Sequence, residues 1–173
     1  MAKVGDRLPQ EDVFLVGKDS LRKLSFSDLH QGRRLALFAM PSTFTPICSK
    51  VHLPSVVGCA ASLFGRGIDR VACLIATDPF AIRAWADAAG AFDVGVDMIA
   101  DPEAIFTKAL GMSFDAPTIG LFNRSRRYAL MAEDGIIRLM FQEEDQAQCC
   151  KSTGQSLLDA IDRLPMPARA KSG

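Results

Sequence analysis

Short apolar runs separated by polar segments are the first pattern along this chain. Residues 35–40, LALFAM, are six consecutive apolar positions, which predicts a strand buried on both faces of a sheet. Residues 70–77, RVACLIAT, and residues 97–100, DMIA, have the same apolar character. The pattern therefore predicts three buried strands in the first two thirds of the chain.

A polar residue followed by proline comes after each of these strands. The three pairs are Thr45-Pro46, Asp78-Pro79 and Asp101-Pro102. An N-cap residue with proline at the first helical position is typical of a helix start, so we expect three helices, ending near residues 64, 89 and 111. Pro54 lies inside the first helix and predicts a kink or a brief break there. Alternating strands and helices indicate an α/β sheet with right-handed crossovers.

The last third of the chain has a different pattern. Residues 118–122, 128–132 and 136–141 are strand-like, and Asp134-Gly135 between the last two is a strong hairpin signal. Residues 152–164 place apolar side chains on one stripe, which predicts an amphipathic helix. Before the first buried strand, residues 3–34 predict a hairpin or an irregular lead-in with a short helical turn.

This order of elements is typical of one α/β domain of the thioredoxin-like type. We expect a mixed central sheet flanked by helices, preceded by an N-terminal extension, over residues 1–164. Residues 165–173 are expected to form a flexible tail. In such a fold the reactive group lies where the first buried strand meets its helix, and Cys48 is there.

Composition narrows the function classes. The 173 residues carry 20 basic and 20 acidic side chains, which gives no basic surface for nucleic acid. The chain has no run of 18 apolar residues, which a membrane-spanning helix would need. The N-terminus also lacks the apolar core of a signal peptide. We therefore expect a cytoplasmic protein. Five cysteines, an odd number, point to redox or metal chemistry rather than to a disulfide framework.

Cys48 is the principal candidate for that chemistry. With Thr45 as the cap and Pro46 as the first helical residue, Cys48 is the third helical residue and lies in the first turn. The partial positive charge and free N–H groups of a helix start favour the thiolate, which is the reactive form of cysteine. A buried structural cysteine is the alternative. The cap favours the reactive interpretation.

The residues around Cys48 carry a family resemblance. Residues 41–48, PSTFTPIC, match the Pro-x-x-x-Thr-x-x-Cys signature of the peroxiredoxins, and the continuation SKVHLP resembles the type II, or atypical two-cysteine, branch. The segments VACLIATDPFAIRAW and SRRYALMAEDGI and the closing helix follow in the family's order. The resemblance covers residues 3 to about 164. Ser42-Thr43 departs from it, because the family usually has Gly and a small residue after the motif proline.

The resemblance implies a thiol peroxidase with a thioredoxin-like fold. Cys48 would be the peroxidatic residue, which attacks the peroxide and becomes a sulfenic acid. Thr45 would orient the peroxide, Pro41 would shield the sulfur from water, and the N–H groups of Ile47 and Cys48 would bind the oxygens. The family's arginine precedes an aromatic residue, which selects Arg127 before Tyr128.

Several positions near the site keep a second interpretation. Arg124 is a weaker choice for the catalytic arginine. His52 is expected to have a structural or supporting role rather than to bind a metal. Phe44, Leu121 and Phe122 would form an apolar collar that admits alkyl peroxides, or would simply pack in the core.

The resolving cysteine, which condenses with the sulfenic acid, stays open between three residues. Cys73 lies in the second buried strand, whereas Cys149 and Cys150 lie in a polar loop before the last helix. A disulfide needs Cα atoms within about 7 Å, so pairing with Cys73 would require local unfolding. We favour Cys149 or Cys150, and some members of the family have no resolving cysteine at all. Cys59 is expected to face the core.

The resemblance also implies partners. Hydrogen peroxide and alkyl hydroperoxides would be the substrates, and thioredoxin, glutaredoxin or glutathione would supply electrons. The family suggests a homodimer with no cofactor and no metal. The alternative functions are a peroxide sensor or relay with little turnover and a thiol–disulfide oxidoreductase. The second is disfavoured because Val51 stands where a Cys-x-x-Cys motif would need its second cysteine.

Overall fold

A computed structural model describes residues 1–165 of the chain. The strands are β1 (Asp12–Val16), β2 (Leu21–Ser25), β3 (Arg34–Met40), β4 (Arg70–Ile75), β5 (Asp97–Ala100), β6 (Ser113–Ala116), β7 (Leu121–Ser125), β8 (Tyr128–Glu133) and β9 (Ile136–Gln142). The α-helices are α1 (Ser27–His30), α2 (Leu53–Gly65), α3 (Pro79–Ala88), α4 (Ile105–Ala109) and α5 (Gly154–Asp162). A π-helical turn, Cys48–His52, leads directly into α2.

A seven-stranded mixed sheet is the framework of the molecule, in the order β2-β1-β5-β4-β3-β8-β9. Its centre is parallel, since β4 pairs in parallel with both β3 and β5. The β1–β2 hairpin and the β8–β9 hairpin add antiparallel strands at the two edges. The α/β class, the thioredoxin-like fold and the N-terminal hairpin are therefore as predicted.

Two apolar clusters cover the two faces of this sheet. Alternate residues of β3 divide between them: Phe38 belongs to the cluster that contains Cys48 and α2, while Leu37 belongs to the opposite one with Phe26 and Phe106. Every β3 residue from position 35 to position 40 is fully buried. A strand covered on both faces reads as a continuous apolar run, which is why the sequence located it.

The predicted hairpin between the last two strands is confirmed. Asp134 and Gly135 both have positive φ angles, +46° and +77°, as a two-residue turn between antiparallel strands requires. A Cβ at position 135 would lie 2.7 Å from the ring of His30. This close approach gives a second reason for glycine and brings the hairpin against α1.

The strand predicted at residues 118–122 is wrong. Pro117–Ile119 forms a 3-10 turn that ends at Gly120, whose φ is +72°. The strand begins later, as β7, and pairs with β6 in a separate two-stranded sheet. β6 was not predicted, because its four residues, SFDA, give too short a pattern to identify.

The helix start predicted at Asp101-Pro102 is also wrong in position. The residue before α4 is Ala104, with φ of +55°, so helical structure begins only at Ile105. Asp101 still satisfies the helix start, since its carboxylate accepts hydrogen bonds from the N–H groups of Ile105, Phe106 and Thr107. The aspartate acts as the predicted cap from four residues away.

The irregularity predicted at Pro54 is present as the π-helical turn just before it. The N–H of Leu53 donates to the carbonyl of Cys48, five residues back, and Pro54 then occupies the first turn of α2. Proline has no N–H to donate, and an extended turn before it accommodates that loss. The helix continues to Gly65, as expected.

The C-terminal helix, α5, is shorter than the predicted span of residues 152–164. It is capped by Thr153, whose side chain accepts from the N–H of Ser156. The single-domain boundary at residue 164 stays a prediction, and residues 166–173 of the expected tail lie outside the described residues. Within residues 1–165, no helix combines the length and apolar character needed to cross a membrane.

Candidate active site

The site begins where β3 ends. Pro41 is buried directly after the strand, and Phe44 has a left-handed φ of +58°, a strained conformation of the kind that concentrates at functional sites. Helical structure starts at Pro46, and the N–H of Ser49 donates to the carbonyl of Thr45 at 2.9 Å. The predicted helix start is confirmed, although in this helix of the described chain no side-chain capping bond is present.

Cys48 is fully buried within the first turn of that helix. Arg127, which lies between β7 and β8 and is 2% exposed, points its guanidinium at the sulfur. The Nη2 atom of Arg127 donates to Cys48 Sγ at 3.3 Å. The structure therefore places together the two residues that are 79 positions apart in the sequence and that the motif selected.

His52 holds the other side of the same guanidinium. Its Nε2 lies 2.8 Å from the carbonyl oxygen of Ser152, which can only accept, so Nε2 carries the proton. The free Nδ1 then accepts from Arg127 Nη1 at 3.1 Å. Burial, and secondly the charge of Arg127, lower the pKa of His52 to about 3. The imidazole is therefore neutral and serves as an acceptor for the arginine.

Gln146 completes the acceptors of Arg127. Its carbonyl oxygen accepts from Nε at 3.3 Å and from Nη2 at 3.1 Å. Its side-chain oxygen also accepts from the backbone N–H of Arg127. Gln146 was not predicted from the sequence, since a loop carbonyl that binds a side chain leaves no signature in residue type.

The charge of Arg127 has no carboxylate against it. None of the ion pairs within residues 1–165 includes this residue. Its acceptors are a carbonyl, a neutral imidazole and the Cys48 sulfur. Burying a cation is costly unless an anion balances it, and the Cys48 thiolate is the contacting group that can supply the negative charge. The geometry therefore allows Arg127 to balance negative charge on the Cys48 sulfur.

A pocket of about 440 Å³ opens next to Pro41, Thr45 and Arg127. Much of its wall is apolar and comes from the helix start, the β6–β7 sheet and the 3-10 turn between these two strands, namely Ile47, Phe114, Ala116, Leu121 and Ile119. Of the three residues predicted to form an apolar collar, Leu121 lines this pocket, while Phe44 and Phe122 are 63% and 56% exposed and lie next to lining residues in the chain.

The other arginines of the cluster are placed elsewhere. Arg124 donates from Nη1 to the carbonyl of Ala76 at 2.7 Å, which ties β7 to the end of β4. Arg126 is half-buried and donates its backbone N–H to Met112. Arg127 is the member of the group that contacts Cys48.

The remaining cysteines differ sharply in environment. Cys73 is fully buried in β4, paired with Phe38 on one side and Met98 on the other. Burial, with a smaller effect of Asp97, raises the pKa of its thiol. Cys59 is buried on α2, as expected.

Cys149 and Cys150 lie in the loop before α5, the first half-buried and the second exposed. Burial raises the pKa of Cys149, and Ser152 and Arg127 partly oppose that increase. Cys149 is therefore within the electrostatic influence of the arginine that contacts Cys48.

No group of three or more side chains suited to a metal ion is present among residues 1–165. His52 uses both ring nitrogens for Ser152 and Arg127.

Trp85 donates from Nε1 to Ser49 Oγ at 3.0 Å, so it packs against the helix that carries Cys48.

Known proteins resemble this chain over most of its length. The chain matches the Redoxin family over residues 3–158. It is 37% identical to Peroxiredoxin-2E-2, chloroplastic, of Oryza sativa subsp. japonica, over 91% of this chain and 72% of the relative. It is 35% identical to Peroxiredoxin-2C of the same organism, over 91% and 97% of the two chains.

Solved structures give the same picture. Reduced Prx3 from Vibrio vulnificus, determined in complex with H2O2, superposes with a TM-score of 0.87 and 31% identity, over 94% of this chain and 98% of that one.

Proposed function

This chain belongs to the Redoxin family and, within it, to the peroxiredoxins, and from that premise we propose how its residues reduce a hydroperoxide. The protein is a thiol-dependent peroxidase. The main support for the roles of Cys48 and Arg127 is the 3.3 Å contact between Arg127 Nη2 and Cys48 Sγ. Both residues are buried, and within residues 1–165 the arginine has no carboxylate partner.

In the proposed first step the Cys48 thiolate attacks one oxygen of the peroxide. An S–O bond forms and the O–O bond breaks, so the sulfur is oxidised to a sulfenic acid and the other oxygen leaves as hydroxide or alkoxide, which takes up a proton. Arg127 and the N–H groups of the first helical turn stabilise the developing negative charge. Thr45 orients the peroxide, and buried Pro41 limits access of water.

The substrates are hydrogen peroxide and, by a further proposal, alkyl hydroperoxides. The apolar wall next to Arg127 supports the second class, because an alkyl chain gains free energy by leaving water there. Comparing second-order rate constants for hydrogen peroxide and cumene hydroperoxide in the parent and in Leu121→Asn tests this. A loss confined to the alkyl substrate supports the proposal, and equal losses contradict it.

In the second step the sulfenic acid condenses with a resolving thiol to form a disulfide and water. We propose Cys149, with Cys150 as the neighbouring alternative. Its half-buried position, in the loop whose Gln146 contacts Arg127, supports this choice. Cys73 is disfavoured, because it is fully buried between two strands and its thiol has a raised pKa.

Two electrons from an external dithiol or from two thiols must then reduce the disulfide. Thioredoxin, glutaredoxin and glutathione are the proposed reductants, and each would exchange with the loop disulfide. Steady-state turnover with each of the three, supplied separately, identifies the reductant. Sustained turnover with none of them would contradict this part of the proposal.

The decisive experiment mixes the fully reduced protein with one equivalent of hydrogen peroxide, without reductant. We expect rapid stoichiometric loss of peroxide in the parent and none in Cys48→Ser. Peptide mapping then locates the disulfide, which we expect to be absent in Cys149→Ser and present in Cys73→Ser. Slow loss at the rate of a free thiol in the parent would overturn the proposed role of Cys48.

We also propose a homodimer. Three exposed apolar side chains around the pocket support it, namely Phe44, Ile119 and Phe122, because apolar surface of this kind marks interaction sites. Sedimentation analysis should give a dimer for the parent and a monomer for Ile119→Glu. A monomeric parent would contradict the proposal.

A cytoplasmic location is a further proposal, supported by the odd number of cysteines. Relatives named as chloroplastic are among the similar proteins. Fractionation of the source cells with an antibody against the chain tests the location, and recovery in an organelle would contradict it.

A further inference from the structure

Glu143 follows β9 directly and is one of the few buried carboxylates, with 3% of its surface exposed. A single oxygen, Oε1, accepts four hydrogen bonds from one short segment. The donors are the N–H groups of Cys150 at 2.8 Å, Lys151 at 2.7 Å and Ser152 at 2.9 Å, and the Ser152 hydroxyl at 2.9 Å. The carboxylate thus holds the end of the cysteine-bearing loop in place.

The environment keeps this side chain ionised. Burial by itself would raise the pKa of Glu143, but the hydrogen bonds from Ser152, Cys150 and Lys151 outweigh it and the pKa is lowered. Bonds from donors to a charged acceptor are about twice as strong as neutral ones. The negative charge is therefore the part of Glu143 on which the loop depends.

The segment that Glu143 fixes leads to the reactive sulfur through three contacts. The carbonyl of Ser152 holds His52 Nε2, His52 Nδ1 accepts from Arg127, and Arg127 donates to Cys48. Each of these side chains is at least 98% buried, so water cannot replace a lost partner easily. A displacement of Ser152 would therefore be transmitted to the guanidinium.

A second path reaches Arg127 from the other end of the same loop. The N–H of Glu143 donates to the carbonyl of Arg127 at 3.1 Å. The side chain of Gln146 donates to the carbonyl of Glu143 at 3.0 Å, and the carbonyl of Gln146 accepts from the guanidinium. Residues 143–152, which we name the anchor loop, thus contact Arg127 directly through Glu143 and Gln146, and indirectly from Ser152 through His52.

We propose that Glu143 is a positioning residue, which closes the anchor loop and thereby holds Arg127 against Cys48. Glu143 contacts neither the sulfur nor the pocket, and it acts through Ser152 and His52. The proposal rests on the proposed role of Arg127 in stabilising the Cys48 thiolate. It links the loop that carries Cys149 to the reactivity of Cys48, since anything that opens the loop loosens the arginine.

The neighbouring Glu144 offers a matched control. It is exposed, and its carboxylate pairs with the side chain of Lys151 at 2.8 Å. Glu143→Gln and Glu144→Gln remove the same charge one residue apart, and only the first lies in the path to Arg127. Because an exposed ion pair contributes little to stability, the second variant should leave the site unchanged.

The experiment measures the pH dependence of alkylation of Cys48 by iodoacetamide in the reduced full chain, with the modified peptide quantified by mass spectrometry. In Glu143→Gln we expect the midpoint to move to higher pH and the rate near neutral pH to fall roughly three- to thirtyfold. In Glu144→Gln the profile should match the parent. This readout does not require peroxidase activity, so its failure is distinguishable from failure of the proposed function.

A second background tests whether the effect passes through the arginine. In Arg127→Gln, adding Glu143→Gln should change the profile no further, since residues that act through one partner are not additive. An unchanged profile for Glu143→Gln in the parent, an equal shift for Glu144→Gln, or the same shift with and without Arg127 would overturn the proposal. If Glu143→Gln does not fold, Ser152→Ala, which removes one of the four bonds, should give a smaller shift in the same direction, and no shift would overturn it.

Discussion

Arg127 shows how much of the site depends on one side-chain shape. Its guanidinium contacts three acceptors of different kinds, the Cys48 sulfur, the His52 ring and the carbonyl of Gln146. A planar fork can hold these directions at once, whereas an ammonium is a compact charge with a flexible stem. Charge alone is therefore not enough at this position.

Arg127→Lys should slow the reaction of Cys48 with hydrogen peroxide by about 10²-fold, because a donor aimed at the developing charge is lost. Stopped-flow measurement of the second-order rate constant checks this. Arg124→Lys is the control and should react like the parent, since Arg124 contacts the carbonyl of Ala76. A lysine variant that keeps the parental rate would show that position 127 needs only a positive charge.

At the scale of residues, the sequence predicted the site residues that lie close together in the chain or match the family motif. It did not predict the residues that only the folded chain brings to the site. Cys48, Thr45 and Pro41 lie within eight residues, and Arg127 was selected by its place before Tyr128. The roles of Gln146 and Ser152 depend on their backbone carbonyls, and a carbonyl is the same in every residue. Only the path of the loop brings them to Arg127 and His52.

At the scale of the elements, the starts of α3 and α4 also show what could not be predicted from the sequence. Asp78 and Asp101 both precede proline and both cap a helix, but Asp78 caps α3 immediately and is exposed, while Asp101 is 2% exposed and caps α4 across a left-handed residue. The dipeptide predicts a helix but not the intervening turn, because that turn is fixed by the packing of Ala104 in the core.

The two caps should therefore differ in their contribution to stability. Asp101→Ala leaves three N–H groups without their acceptor, two of them in buried bonds, and should lower the free energy of unfolding by about 2–3 kcal/mol. Asp78→Ala exposes its two N–H groups to water and should cost about 1 kcal/mol. Urea unfolding of both variants measures the difference, and equal losses would contradict the role of burial.

The π-helical turn lies directly before the proline in the first turn of α2. Pro54 cannot donate to the carbonyl four residues back, and the turn before it is extended. Pro54→Ala permits a regular helix, which should raise the free energy of unfolding by about 1 kcal/mol. It should also slow the reaction of Cys48 with peroxide about three- to tenfold, because the turn sets the direction of both Cys48 and His52.

Pro79→Ala is the control for that variant, since it removes a proline from the first turn of α3, a helix whose start is capped by Asp78 and has no π-helical turn before it. Peroxide kinetics and urea unfolding should be measured on both proteins. If Pro54→Ala keeps the parental rate, the π-helical turn is a consequence of proline without a role in the site.

At the scale of the molecule, the two histidines are buried on opposite faces of the sheet. His30 is 4% exposed near Phe26, and His52 is fully buried in the cluster with Cys48. Burial lowers the pKa of both. The charge of Arg127 lowers the pKa of His52 further, whereas the charge of Asp134 opposes the shift at His30.

Mild acid should therefore destabilise the whole fold through the buried His52. Above the ordinary pKa of 6.5 both states bind no proton at His52, while below it the unfolded chain binds one and the folded chain does not until about pH 3. The contribution of the neutral His52 to the free energy of unfolding is therefore complete above pH 6.5 and is lost as the pH falls below it. Between about pH 7 and about pH 5 the loss should be on the order of 1–2 kcal/mol.

Urea unfolding across that range measures the slope. His52→Gln keeps a donor for Ser152 but cannot titrate, so the loss of stability on acidification should shrink. His30→Gln should reduce it less, because Asp134 already offsets part of the shift there. Glu143, whose pKa is lowered, stays ionised in the folded chain and adds a loss of the same sign, which develops mainly below about pH 5 as the unfolded chain binds its proton. An unchanged slope in His52→Gln would mean that the buried imidazole takes up a proton in the folded protein, and the acceptor it provides for Arg127 would then be lost with it.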